Sequence, residues 1–141
     1  MSDPAASTTR EGGNAPAGVD AKLARHGGLS YLEIPAIDVQ QSSRFYQAVV
    51  GWKPRGEADD PSRFADPSGH LIGRWVQDRA IARKPGLLPF IYVDQIEEAV
   101  KQVEPLGGAV VKAIHPEGDL LIAIIRDPAG NLIGVWQEAH R

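Results

Sequence analysis

A ten-residue segment occurs twice in this chain, and this repetition is the strongest constraint on how the chain can fold. Asp66–Trp75 reads DPSGHLIGRW, and Asp127–Trp136, 61 positions later, reads DPAGNLIGVW, so that seven of the ten positions are identical. The Asp-Pro-x-Gly start predicts a tight turn, and the apolar residues after it predict a strand. Such a close repeat within 141 residues indicates two copies of one supersecondary unit. We expect a functional site to lie where the two copies meet.

A helix is predicted at the same place in each copy. Asp38 precedes one apolar helical pattern and Asp94 precedes the other, and each aspartate is followed three residues later by a glutamine or a glutamate, Gln41 or Glu97. This spacing is typical of a capping box, in which the first side chain accepts a hydrogen bond from the helix N-terminus. Glu97 is also placed to pair with Lys101 one helical turn later.

Each copy is therefore predicted to run strand, helix, strand, strand, strand. The copies span 29–76 and 87–138, and together they form a single domain over 28–139. The segment between the copies is predicted to be a linker. Residues 1–27 are rich in Ala, Gly, Ser, Thr and Pro, which predicts a disordered N-terminal tail. That tail lacks the apolar core of a secretory signal.

Composition excludes several classes of protein. The net charge is −3 and the cations are scattered, which argues against nucleic acid as a partner. No apolar run approaches the roughly 20 residues of a membrane span. The absence of cysteine excludes disulfides and thiolate chemistry, and it fits a cytoplasmic protein.

The order and spacing of these motifs resemble the vicinal oxygen chelate superfamily, which includes glyoxalase I, the extradiol dioxygenases, and the fosfomycin and bleomycin resistance proteins. The resemblance rests on the doubled Asp-Pro-x-Gly-x-Leu-Ile segment and on Asp38, 44–46 and the Gly51-Trp52 pair, and it covers 29–138. It implies an α+β fold in which two βαβββ modules form an open, incomplete barrel around a central cavity, with the helices outside. It also implies a homodimer.

Metal-dependent members of this superfamily hold a divalent ion with four His or Glu side chains from the first and last strands of the modules. The matching positions here are Tyr31, Leu88, Gly73 and Gly134. Divalent ions of this class need imidazole or carboxylate ligands, which none of the four positions supplies. The resemblance therefore predicts a metal-free member without a cofactor.

Strand alternation predicts which side chains share the cavity face with those four positions. The predicted ligand-binding residues are Tyr31, Glu33, Gly73, Trp75, Leu88, Phe90, Tyr92, Gly134 and Trp136. The opposite strand faces, including Ile72, are predicted to be aliphatic and to pack under the helices, and Arg74 also falls on that side. The alternative is that the aromatic side chains fill the barrel or a dimer interface.

Three functions follow from this cavity. The first is a protein that binds a small aromatic or cationic molecule without a metal, with Glu33 as the polar anchor. The second is a metal-independent isomerase, epimerase or lyase, in which Glu33 transfers a proton with Tyr31 or Tyr92 as partner after an apolar pocket has raised the pKa of that glutamate. The third, a metal-dependent lyase or dioxygenase, is disfavoured by the four positions above.

Overall fold

The computed structural model describes residues 20–56 and 60–139. Most of the predicted tail lies outside the described residues. Its last part forms hydrogen-bonded turns. The Arg25 guanidinium of this part donates to the carbonyl oxygens of Leu29 and His70 at 2.9 and 3.2 Å. Residues 20–27 therefore contact the domain. No helix within the described ranges is long and apolar enough to span a membrane.

Two four-stranded sheets, each with one helix, form the fold. The first module contains β1 (Tyr31–Pro35), α1 (Val39–Val50), β2 (Lys53–Pro54), β3 (Arg63–Ala65) and β4 (Ile72–Val76). The second contains β5 (Phe90–Tyr92), α2 (Ile96–Lys101), β6 (Ala109–Glu117), β7 (Leu120–Arg126) and β8 (Leu132–Glu138). The strand orders are β1-β4-β3-β2 and β5-β8-β7-β6, with the first and last strands of each module parallel. The predicted pair of βαβββ modules in an unclosed α+β fold is confirmed.

Helix α1 begins and ends as the sequence predicts. The Asp38 side chain accepts a hydrogen bond from the Gln41 N–H at 3.1 Å, and Gly51 ends the helix at a φ of 79°. A positive φ of this size favours glycine, because a Cβ would crowd the backbone. The buried face of the helix places Phe45 and Tyr46 in the core.

Helix α2 is capped by a side chain from strand β8, so the predicted Asp94 cap is wrong. The helix begins one residue later than expected, after Gln95, which makes no side-chain cap hydrogen bond. Instead, the Ile96 N–H donates to Oε1 of Gln137, a buried residue of β8, at 2.6 Å. The predicted pairing of Lys101 with Glu97 is also wrong, since Lys101 lies 3.3 Å from the Glu98 carboxylate in this six-residue helix.

This cap gives a direct stability prediction. Gln137→Ala removes the acceptor and leaves a buried N–H without a partner, so we expect it to lower the free energy of unfolding by about 1.5 kcal/mol. Asp94→Ala is the matched control, and it should change that free energy by less than about 0.5 kcal/mol. Urea unfolding followed by circular dichroism measures both. A larger loss for Asp94→Ala would contradict this description of the helix start.

The repeated turns differ in length by one residue, although their sequences align without a gap. In the second copy, the Asp127 N–H donates to the Asn131 carbonyl oxygen, four residues away, at 2.9 Å. In the first copy, the Asp66 N–H donates to the Leu71 carbonyl oxygen, five residues away, at 3.0 Å. The first turn therefore holds one extra residue, and β4 starts one position later in the repeat than β8 does.

Equivalent backbone bonds at the far ends of β4 and β8 show the same displacement. The Ala36 N–H donates to the Val76 carbonyl oxygen, and the Val93 N–H donates to the Trp136 carbonyl oxygen, at 2.8 and 2.9 Å. Val76, and not Trp75, is thus the structural counterpart of Trp136. A shift of one residue moves every side chain of a strand to the opposite face of its sheet.

The shift makes the predicted cavity face wrong for Gly73 and Trp75. The β1–β4 register pairs Leu32 with Gly73 and Ile34 with Trp75, so all four residues face the core. Trp75 is only 3% exposed. Its ring packs against Phe64 with centroids 4.7 Å apart, within a buried aromatic cluster beneath α1 that also contains Tyr46 and Trp52.

The open face of the first module carries a different set of side chains. The register pairs Tyr31 with Ile72 and Glu33 with Arg74. The prediction that Ile72 and Arg74 lie on the helix side is therefore also wrong. In the second module, by contrast, the predicted alternation is observed: Phe90 lies beside Gly134 and Tyr92 beside Trp136, while Ile133 and Val135 are buried in the core. The role of this face in ligand binding stays a prediction.

Candidate functional site

A cleft of about 380 Å³ lies between the two modules, where the repeat predicted a site. Its walls come from β1, the linker between the modules, β5 and the start of β8. The aliphatic and aromatic part of the lining includes Leu32, Ile34, Trp52, Leu87, Phe90 and Ile133. Glu33 and Arg79 are the only charged residues among the described residues that line it. An apolar cleft of this size with a few polar groups at one point is typical of a small-molecule site.

Two arginines hold the Glu33 carboxylate at the mouth of this cleft. Arg79 Nη2 lies 2.7 Å from Glu33 Oε1, and Arg74 Nε lies 3.7 Å from Glu33 Oε2. The Tyr31 hydroxyl donates a 3.4 Å hydrogen bond to the same Oε2. The hydrogen bond from Arg79, aided by the charges of both arginines and by Tyr31, lowers the pKa of Glu33 below its ordinary value and outweighs a smaller opposing effect of desolvation. The predicted rise in this pKa is therefore wrong.

The rear of the cleft is fixed by hydrogen bonds that cross between the modules. Tyr46 and Asn131 both line the cleft and both bind Asp127, which is buried. The Tyr46 hydroxyl and Asn131 Nδ2 each donate to Asp127 Oδ2 at 2.8 Å. Asn131 Nδ2 also donates to the Pro35 carbonyl oxygen at 2.6 Å. Burial, followed by the charge of Asp127, raises the pKa of Tyr46 well above its ordinary value, so the phenol stays a donor.

The structure brings together only some of the predicted site residues. Glu33 and Phe90 line the cleft, whereas Tyr31 does not line it and only donates a hydrogen bond to Glu33. Tyr92 and Trp136 form an edge-to-face pair with ring centroids 5.0 Å apart, and neither lines the cleft. Leu88 is half-buried, precedes β5 and does not line the cleft.

Gly134 supports the cleft indirectly. The Phe90 ring lies over its Cα, so a Cβ at this position would collide with the ring. Glycine is therefore required for the position that Phe90 adopts at the cleft wall. Gly73 has a different role, because a Cβ there would collide with the Leu32 carbonyl oxygen and the Phe64 ring in the core.

Two arginines of the site were missed by strand alternation. Arg74 carried a signal, because the face to which it was assigned is otherwise aliphatic, and a buried guanidinium without a partner is costly. Arg79 lies in the linker, where the sequence has several cations but no helix or strand periodicity. The sequence therefore could not indicate which of these cations contacts Glu33.

A second groove, of about 660 Å³, adjoins the cleft at β5. It runs between the end of α1, the 66–68 turn and the start of α2, and it shares Trp52, Leu71, Phe90 and Ile91 with the cleft. Tyr92 lines this groove, together with the carboxylates of Asp66, Asp94 and Glu98. The predicted aromatic residues are thus divided between two concave surfaces.

The side chains do not fit the divalent ion of the metal-dependent proteins that the sequence resembles. The paired first- and last-strand positions on the open faces are Glu33 with Arg74 and Phe90 with Gly134, of which only Glu33 offers a donor for a divalent ion. Within 20–56 and 60–139, no group of three or more His, Asp or Glu side chains could hold a metal ion.

Sequence comparison agrees with this architecture. The profile of the Glyoxalase/Bleomycin resistance protein/Dioxygenase superfamily matches residues 28–135. The chain belongs to this superfamily. A curated relative is CFP32 of Mycobacterium tuberculosis (strain CDC 1551 / Oshkosh), which is provisionally named a glyoxylase. It is 28% identical to this chain over 130 residues. That match covers 80% of this chain and 46% of the relative, so the chain spans less than half the length of this relative.

Solved structures of the superfamily share the fold. An enzyme of the family from Burkholderia phytofirmans PsJN has a TM-score of 0.58 and 20% sequence identity, covering 78% of this chain and 98% of that chain. TnmS3, an antibiotic binding protein from Streptomyces sp. CB03234, has a TM-score of 0.59 and 19% identity, covering 79% of this chain and 96% of its own. At such identities, the likeness shows the fold.

Proposed function

We propose that this protein binds a small organic molecule with an aromatic or apolar body in the cleft between its two modules, without a metal ion. The observation that carries the proposal is the cleft itself, which is lined mostly by apolar side chains and whose charged lining residues, within 20–56 and 60–139, are Glu33 and Arg79. A ligand of this kind gains affinity from the apolar surface that it removes from water. The fold shared with an antibiotic binding protein supports a small-molecule ligand.

Acid–base catalysis by Glu33 is the weaker alternative. A general base works best when its pKa lies near the working pH, whereas the Arg79 contact lowers the pKa of Glu33. The metal-dependent lyase or dioxygenase is weaker still, because the paired strand positions offer a single ligand, Glu33. The homodimer and the cytoplasmic location stay predictions from the sequence.

The binding proposal is tested with the neutral fluorescent dye N-phenyl-1-naphthylamine. We expect the dye to bind the wild-type protein and Phe90→Ala to weaken binding about tenfold, because the substitution removes one aromatic wall. Tyr92→Ala is the matched control: Tyr92 lies on the same strand face and is 39% exposed, compared with 46% for Phe90, but it does not line the cleft. It should change the dissociation constant less than about twofold.

Two outcomes would overturn the proposal. One is a wild-type protein that does not bind the dye at all. The other is an equal loss of binding in Phe90→Ala and Tyr92→Ala, which would move the ligand to the groove that both residues line. Circular dichroism of both variants verifies that the exposed substitutions leave the fold intact.

A further inference from the structure

We propose that the ligand of the cleft is an amphipathic organic anion, whose carboxylate, sulfonate or phosphate group binds Arg79 and Arg74 at the mouth while its apolar body fills the cleft. This inference rests on the proposed function, which sets only the apolar body of the ligand. It replaces the cationic ligand that the sequence suggested. Three observations support the inference: the charge at the mouth, the free hydrogen-bond donors of the two guanidinium groups, and the position of these groups beside the cleft.

The first step is the balance of charge at the mouth. Arg74 and Arg79 flank a single carboxylate, that of Glu33. Two guanidinium groups thus flank one carboxylate at the mouth of the cleft, which leaves an excess of positive charge. Such a face attracts an anion and repels a cation.

The second step is the supply of hydrogen-bond donors. A guanidinium group has five N–H donors and no acceptor. Arg79 makes one short contact, to Glu33, whereas the 3.7 Å separation of Arg74 from the same carboxylate is too long for a hydrogen bond. The Arg74 side chain makes no hydrogen bond to any other residue in the described part of the chain. Both side chains keep donors free, and they are 52% and 54% exposed, so a ligand can reach them.

The third step is geometry. Glu33 lines the cleft and is already bound to Arg79, so its carboxylate occupies a position at which an oxyanion is stable beside the apolar walls. Arginine pairs with carboxylate and phosphate oxygens through its planar fork, often with two bonds at once. A ligand anion would share Arg79 with Glu33 and take the free donors of Arg74. Glu33 then acts as a competitor for the guanidinium groups, and its removal should strengthen anion binding.

The test compares two dyes with the same aromatic body. 1-Anilinonaphthalene-8-sulfonate carries a sulfonate, and N-phenyl-1-naphthylamine does not. We expect Arg79→Gln to weaken binding of the sulfonate dye about fivefold and Arg74→Gln about threefold, with the neutral dye unchanged. Glu33→Gln should strengthen binding of the sulfonate dye about threefold. Raising the salt concentration should weaken only the sulfonate dye.

Arg44→Gln is the control for net charge. Arg44 is exposed on α1 and does not line the cleft, so this variant loses the same charge and should bind both dyes as the wild type does. If the neutral dye binds but the sulfonate dye responds to none of the three mouth variants, the anion inference is wrong and the cleft proposal stands. If the sulfonate dye responds equally to Arg44→Gln, the effect is non-local and the inference is again wrong. If neither dye binds, the cleft proposal itself fails.

Discussion

Asp127→Ala is expected to lower the free energy of unfolding by about 4 kcal/mol, which would leave little of the stability of an ordinary domain. Asp127 Oδ1 accepts the N–H groups of Ala129, Gly130 and Asn131 at 2.9, 3.0 and 2.9 Å. Its Oδ2 accepts the Tyr46 hydroxyl and Asn131 Nδ2. Alanine leaves the Ala129 and Asn131 N–H groups and the Tyr46 hydroxyl without this acceptor in a site that is 2% exposed.

The repeat supplies a matched control for this prediction. Asp66 opens the equivalent turn of the first module, and its carboxylate accepts the N–H groups of Gly69 and Leu71 and the Ser68 hydroxyl. That site is half-buried, so water can replace the lost acceptor. We expect Asp66→Ala to cost about 1 kcal/mol. Urea unfolding of both variants measures the difference, and equal losses would contradict a special role for the bonds between modules.

The second large effect separates two tryptophans that occupy the same place in the repeated sequence. Trp75→Ala should lower the free energy of unfolding by about 4 kcal/mol, because it leaves a large cavity beneath α1 among Tyr46 and Phe64. Trp136→Ala should cost less than about 1.5 kcal/mol, since that side chain is half-buried on the open face against Tyr92.

Thermal and urea unfolding of the two alanine variants test the observed strand register. The alternative is the register that the gapless alignment of the repeat predicts. If the turns were equal in length, Trp75 and Trp136 would occupy the same face and lose similar stability. A glycine pair offers an independent check on the same point. Gly73→Ala collides with the backbone of β1, which cannot move, whereas Gly134→Ala collides with the exposed Phe90 ring, which can turn aside.

Most of the fold was predictable because the local signals agreed with one another. Apolar periodicity and the stop at Gly51 predicted the elements of each module, and the repeat fixed their order. The start of α2 was not predictable from its own segment. Its acceptor, Gln137, lies 41 residues away, and the nearby Asp94 offered a plausible local substitute.

The site was only partly predictable, because the sequence does not show how many residues each repeated turn contains. The two turn motifs align residue for residue, yet one closes over four residues and the other over five. Whether His70 belongs to the turn or to the strand depends on hydrogen bonds that the motif does not specify. The second module contributed Phe90, which strand alternation had placed on the cavity face. The first module contributed Arg74, whose side chain was assigned to the opposite face.

The unequal turns limit what one copy of the repeat says about the other. Two copies of a duplicated unit are usually compared position by position, so that the role of a residue in one copy is inferred from its counterpart in the other. Here the first turn closes over one more residue, and the strand after it presents its opposite face to the core. Arg74 therefore lies at the solvent side while Trp75 is buried. A difference of one residue in a turn can thus give two copies of one sequence different surfaces, although most of their residues are identical.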